Sequence, residues 1–252
     1  MPSPLTGLDL RIAFLYGAEM NIYGDRGNII TLTRRAQWRG IAVEVDQVGI
    51  GERLEPGRHD LYFFGGGQDK EQIAVAADLV RKDNGDKGAA IREAIEAGAV
   101  ALTICGGYQL FGHYYRPHNG PELPGIGVLD VTSEAGPDRF IGNSVIATPD
   151  GDLVGFENHS ALTFVGAGCE PFGKAVVGAG NNGRDDTGGA HYKHAYGCYL
   201  HGSLLPKNPW FADLLLTQAL ARRHGPVDLP SLPDDLEQAA HASAVRRAQL
   251  TR

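Results

Sequence analysis

The stretch AVALTICGGYQLFG, residues 99–112, constrains the fold more than any other part of the chain. Its first half is a continuous apolar run, the pattern of a strand buried on both faces of a parallel sheet. Its second half opens with Gly106 and Gly107 and then spaces Tyr108, Leu110 and Phe111 as one side of a helix. Cys105 sits at the joint. A strand that turns at once into a helix passes a strained backbone position, and small neighbours permit the turn. The joint residue is then lifted over the sheet edge, beside helical N–H groups that favour a thiolate. This is a nucleophile elbow with cysteine at its tip. A buried structural cysteine at a strand end fits the same local pattern, so the stretch alone leaves both readings open.

The residues before it repeat the strand-then-helix alternation. Residues 10–16 read as an apolar strand and 25–39 as an amphipathic helix, with Asp25 as N-cap and Gly40 as stop. Residues 41–48 and 60–64 are further strands, the latter ending in Gly65–Gly67, and 68–81 and 86–97 read as helices. Such alternation predicts an α/β fold with a doubly wound, mostly parallel sheet flanked by helices. Active sites in such sheets lie over the C-terminal strand ends, where Gly65–Gly67 and Cys105 both fall. Beyond Pro117 the short strand-like segments 125–131, 140–148, 152–156 and 162–165 predict an antiparallel extension. Gly178–Gly189 is a mobile loop by composition. A strand over 196–200 runs into His201, and Asn208-Pro209 opens an amphipathic helix that stops near Gly225. A polar, alanine-rich helix is expected over 234–249. The expected organisation is a domain over residues 8–225 followed by a polar, helical C-terminal extension, 226–252.

Composition narrows the function classes. A net charge of −7 argues against non-specific nucleic-acid binding, which needs a basic face. Three cysteines without a CxxC pair fit a reducing compartment better than a disulfide framework. Met1–Pro4 lacks the basic-then-apolar pattern of a signal peptide. No apolar run approaches the ~20 residues that span a bilayer. The expected location is the cytoplasm.

A cysteine nucleophile needs a base within hydrogen-bond reach, and histidine is the usual one. His201, at a strand end before Gly202, would project from the same sheet edge as Cys105; a turn histidine bonded to backbone is the plain alternative. Acyl transfer to a thiolate also builds an oxyanion, which needs backbone N–H donors held in place beforehand. Gly106, just after the nucleophile, and the Gly65–Gly67 turn, with Gly66 and Gly67 as donors, are the candidates. No Lys-Ser/Thr follows that turn and its spacing is not GxGxxG, so a nucleotide loop is disfavoured. His191, His194, Cys198 and His201 resemble zinc spacing, but on strands residues three apart point to opposite faces, so no metal site is expected.

Together, Cys105-Gly106-Gly107-Tyr108-Gln109 and Gly197-Cys198-Tyr199-Leu200-His201-Gly202 resemble the elbow and histidine segments of class I glutamine amidotransferases, in their cobyric-acid-synthase-like branch. Three further blocks, residues 16–28, 64–69 and 156–159, look like the glutaminase subunits of lipid II isoglutaminyl synthases. The resemblance runs from about residue 8 to residue 225. It implies that Cys105 attacks the glutamine side-chain amide, giving a glutamyl thioester and ammonia, with His201 as acid and then base. It places Gln109 and Arg139 in glutamine binding, Arg139 on the substrate α-carboxylate. It also implies a heterodimer with a MurT-like Mur ligase subunit. That partner would hold ATP and Mg²⁺, and this chain no cofactor. The acceptor would be the D-glutamate of lipid II, converted to D-isoglutamine at the inner face of the membrane. Cobyrinate-type amidation, a stand-alone cysteine hydrolase and a non-catalytic binding subunit are the alternatives. One position departs from the family: many members carry a glutamate two residues after the histidine, where this chain has Ser203. Either a Cys–His dyad suffices or a carboxylate comes from elsewhere, the partner being one source.

Overall fold

A computed structural model describes residues 5–83 and 85–251; Met1–Pro4 and the side chains of Tyr23 and Asp69 lie outside the described residues. In chain order the first half comprises β1 (Asp9–Leu15), α1 (Arg26–Gln37), β2 (Ala42–Val48), β3 (Leu61–Phe64), α2 (Asp69–Leu79), α3 (Lys87–Glu96), β4 (Val100–Ile104) and α4 (Gly106–Phe111). The second half comprises β5 (Tyr114–Arg116), β6 (Leu123–Pro124), β7 (Val131–Thr148), β8 (Gly151–Val165), β9 (Gly173–Val177), β10 (Thr187–Gly188), β11 (Ala190–Tyr192) and β12 (Ala195–Cys198). It closes with α5 (Leu204–Lys207), α6 (Pro209–His224) and α7 (Asp235–Leu250).

The first sheet has the order β11-β12-β4-β3-β1-β2. All its pairings are parallel except that of β11 with β12. β3 and β4 are buried along their whole length, as their unbroken apolar runs require. Each large side chain buried there, such as Phe63, Phe64 and Leu102, contributes ~1.5–3 kcal/mol. The strand order reverses at β1, with β2 on one side and β3 and β4 on the other. A doubly wound sheet opens a crevice at such a point, outside the C-terminal strand ends. Register aligns Leu15, Phe64, Thr103 and Cys198 at that edge or within one residue of it, so four loops leave the sheet side by side.

The antiparallel part is a second sheet, β10-β9-β7-β5-β6, with β8 paired to β7. The short segments expected from sequence merge into one long β7–β8 hairpin, with an irregularity between Ala135 and Phe140. The strand expected over residues 125–131 does not form before Val131. Its N–H groups close the end of α4 instead: Ile126 donates to Leu110 O and Leu129 to Phe111 O, each at 2.9 Å. The loop expected to be mobile over residues 178–189 is pegged down by buried asparagines. Asn181 Nδ2 donates to Gly189 O at 2.8 Å, and Asn182 Nδ2 to Thr163 O at 3.0 Å. The glycines and polar residues that suggest mobility are there for tight turning around these pegs.

Three helices are locked by a buried charge cluster. Arg35 is 2% exposed and holds Asp213 of α6 and Asp234, the residue before α7, each through two 2.7 Å bonds. Arg39 adds a 2.7 Å bond to Asp213 and one of 2.6 Å to Pro230 O. Burying such charges is costly unless every one is paired, and here the forked guanidinium matches both carboxylates. α7 then lies on the β7–β8 hairpin, where Ala248 joins Val145, Val154 and Val177 in a small apolar cluster.

Candidate active site

Cys105 is the elbow that its sequence predicts. It follows β4 directly, precedes α4, and has φ +53° and ψ −108°, a conformation costly for a side-chain-bearing residue. Two close approaches hold it there. A Cβ on Gly107 would lie 2.5 Å from Phe64 O, so the elbow packs on the end of β3. A Cβ on Gly66 would lie 2.6 Å from His201 Cε1 and 3.3 Å from Cys105 Cβ, so the glycine turn runs over both side chains.

His201 follows β12 and is fully buried. Its backbone bridges to the other sheet, donating to Phe156 O at 2.8 Å and accepting from Phe156 N at 3.2 Å. Its ring lies between Cys105 on one side, whose charge and side chain act on it, and Asp25 Oδ1, 3.4 Å from Nδ1, on the other. Burial by itself lowers the histidine's proton affinity, but the charge on Cys105 and the bond to Asp25 outweigh it and raise its pKa to about 10. The histidine is thus held as an imidazolium beside the sulfur.

Asp25 is the residue that the sequence reading placed in a different role. At the N-cap position of α1 its side chain makes no capping bond. It is fully buried and turns inward, toward His201 and to accept from Gly66 N at 2.8 Å. The Arg26 N–H donates instead to Asn21 Oδ1 at 2.7 Å. Ser203, where a family carboxylate is missing, donates to Gly24 O at 2.5 Å. Asn28 Oδ1 accepts from Leu205 N at 2.8 Å. These two bonds sew the histidine segment to the start of α1, and Asp25 is carried between them. A carboxylate from elsewhere in this chain thus lies beside the His201 ring. The sequence did carry a signal, since Asp25 lies in the block after the first strand that resembles the family.

The glycine turn divides its labour. Gly66, expected as an oxyanion donor, spends its N–H on Asp25. The Gly67 and Gly106 N–H groups make no hydrogen bond among the described residues, and Gly67 lines the cleft beside Cys105. Both N–H groups are thus left free to donate to a bound ligand.

The cleft over Cys105 has a volume of about 560 Å³ and is walled by both sheets. Gln109 lies in it, its Oε1 accepting from Gln72 Nε2 at 2.7 Å and its Nε2 donating to Tyr199 Oη at 3.3 Å. Arg139 faces the same cleft from β7, its Nε donating to Asn158 Oδ1 at 2.7 Å. His159 stacks on Tyr199 with ring centres 3.6 Å apart, and burial lowers its pKa to about 4, so it is a neutral wall. Gln72 was missed from sequence because no motif marks it; Tyr199 and His159 stand inside blocks that resemble the family, but their contacts with Gln109 and with each other could not be read from those blocks. Among the described residues no group of three or more His, Cys, Asp or Glu could hold a metal ion. His191 stacks instead on Tyr196, and burial pushes the Cys198 thiol up to about 12.

This arrangement is matched by known proteins. Residues 11–209 match the CobB/CobQ-like glutamine amidotransferase domain family. The lipid II isoglutaminyl synthase (glutamine-hydrolyzing) subunit GatD of Streptococcus pneumoniae is 41% identical over 233 residues, 91% of this chain and 88% of that protein. The GatD of Staphylococcus aureus is 38% identical over 241 residues, 95% of this chain and 96% of its own length. This chain belongs to the GatD family of glutamine amidotransferases. A cobyric acid synthase from Rhizobium rhizogenes is 31% identical over 186 residues, but only 36% of that protein is matched, against nearly all of each GatD. The crystal structure of a Thermotoga maritima glutamine amidotransferase shares the fold, with a TM-score of 0.52 at 14% identity over 96% of this chain and 92% of that one. Among the described residues no helix is long and apolar enough to cross a membrane.

Proposed function

We propose that this GatD-family chain is the glutaminase subunit of a lipid II isoglutaminyl synthase. It hydrolyses L-glutamine and passes the ammonia to a MurT-like, ATP-dependent ligase subunit at the inner face of the membrane. There the α-carboxylate of the stem-peptide D-glutamate becomes the amide of D-isoglutamine. The observation that carries the reading is the convergence of Cys105, His201 and Asp25 at one sheet edge, under a cleft that Arg139 enters from the other sheet.

Glutamine enters with its α-carboxylate on Arg139 and its side chain toward Cys105, beside Gln109. The Cys105 sulfur attacks the carboxamide carbon, and the carbonyl oxygen takes up negative charge between the Gly67 and Gly106 N–H groups. The His201 imidazolium gives its proton to the departing nitrogen, which leaves as ammonia, and the glutamyl thioester remains. His201, now neutral, takes a proton from water as the water oxygen attacks the thioester carbon. The carbon–sulfur bond breaks, glutamate leaves, and the thiolate–imidazolium pair is restored. Asp25 keeps the ring oriented through both steps and stabilises its charge, the part that an acidic third member plays in a catalytic triad.

Labelling with 6-diazo-5-oxo-norleucine tests this directly. Peptide mapping is expected to find the adduct on Cys105. No adduct with the partner present would overturn the glutaminase reading.

A further inference from the structure

α1 has a second apolar stripe that the fold does not use. Its inner face, with Ile29, Leu32 and Ala36, is buried in the core. On its outer face Arg26, Ile30, Arg34 and Trp38 follow one another four residues apart, the spacing of neighbours along one side of a helix. Ile30 is 54% and Trp38 63% exposed. Neither arginine forms an ion pair among the described residues; Arg34 reaches only Gln37 Oε1, at 3.2 Å. A groove runs along each side of this ridge, and Ile30 and Arg34 line both. One groove, about 450 Å³, lies toward Phe14 and Val45; the other, about 170 Å³, lies toward Leu205, Pro206 and Glu237.

Single exposed apolar residues are ordinary. Two large ones in line with unpaired arginines, with a groove on each flank, form a shaped surface. Its charge also stands out, since it is cationic in a chain of net charge −7. Its position gives the occupant. The ridge starts at Arg26, next to the Asp25 that faces His201, and Ile22, just before that turn, lines the cleft over Cys105. It then runs away from the cleft for ~18 Å along the helix.

We infer that this ridge is the docking surface for the ammonia-accepting ligase subunit, which grips it with apolar side chains flanked by carboxylates. The inference rests on the proposed function, under which ammonia leaves this cleft for another subunit. A partner seated on Ile30 and Trp38 has its edge at the cleft mouth, where it can receive ammonia before solvent does. Because α1 carries Asp25 at its root, the same contact bears on the carboxylate behind His201.

The test uses the full chain and the MurT-like subunit of the same organism, with affinity measured by calorimetry at two salt concentrations. Wild-type binding is expected to weaken with salt, as cationic–anionic contacts do. Trp38→Ser and Arg34→Glu are each expected to weaken it at least ~10-fold, as loss of a central aromatic or arginine anchor does. Arg34→Glu should also flatten the salt dependence. The labelling rate of Cys105 by 6-diazo-5-oxo-norleucine in the isolated chain should stay at the wild-type value in both variants, which separates lost docking from misfolding. Wild-type affinity in both variants would overturn the inference. So would variants that abolish self-association of this chain yet bind the ligase normally, since the ridge would then serve a second copy. Failure of the wild-type chain to bind the ligase subunit would remove the proposed function itself, and the docking role with it.

Discussion

The two sheets meet at one cleft and contribute opposite kinds of group to it. The parallel sheet presents Cys105, His201 and the Asp25 loop from adjacent strand ends, on backbone buried on both sides and held by close glycine contacts. The antiparallel sheet presents Arg139, Asn158 and His159 from a long hairpin next to a register irregularity. Reacting groups need fixed mutual positions, and a doubly wound sheet edge supplies them. Groups that recognise a substrate need only face it, and a hairpin laid across the edge can supply those. His201 is the seam, with its ring in one half and its backbone bonded to Phe156 of the other.

If this division holds, damage to the first sheet should appear in kcat and damage to the second in KM. Cys105→Ala is the largest test, since it removes the bond-forming atom; glutamine turnover in the assembled complex is expected to fall by ~10⁴-fold or more. Asp25→Asn keeps the size of the side chain but removes the carboxylate that, after Cys105, helps to raise the histidine's pKa. A loss of ~10²–10³-fold in kcat is expected with KM little changed; an unchanged kcat would show that Cys105 and His201 suffice. Arg139→Ala should raise KM for glutamine by ~10–100-fold, the worth of charge-assisted hydrogen bonds, with kcat nearly intact. A fall in kcat alone would break the comparison.

The smallest effect is the pH response near neutrality. Because His201's pKa stands at about 10 in the folded chain, its proton is in place throughout the neutral range. kcat/KM is therefore expected to change little between pH 7 and 8 on this account and to fall as pH rises toward about 10. The same shift bears on stability. The folded value lies above histidine's ordinary value of 6.5, so the contribution is complete below about 6.5 and is lost as pH rises through about 10. Asp25→Asn should move both declines to lower pH, measured as a rate profile and as a series of melting curves.

The parallel half could be read from sequence because its signals are local. Buried strands announce themselves as apolar runs, and the Cys105 elbow is one strand, one residue and two glycines in a row. The second sheet was less legible. Its hairpin strands are interrupted by Gly136, Pro137 and Gly142, which look like turns until the partner strand is known. Residues 125–131 have strand composition, yet their donors are taken by the end of α4. Asp25 is the instructive case. An aspartate before an amphipathic helix is ordinarily a cap, and only the meeting of the start of α1 with the segment after β12, 176 residues later in the chain, turns it toward a histidine. Gln72 and Tyr199 were hidden for the same reason: their roles belong to contacts between distant segments.

The fork of Arg35 has a consequence for the far end of the chain. One end of α1 carries the carboxylate that faces His201, and near the other Arg35 is clamped between Asp213 and Asp234. A cut before Asp234 would therefore do more than shed a polar helix. It would take away half of the countercharge at one end of a lever whose opposite end sits behind the reacting sulfur. The last helix is, mechanically, part of the active site's mounting.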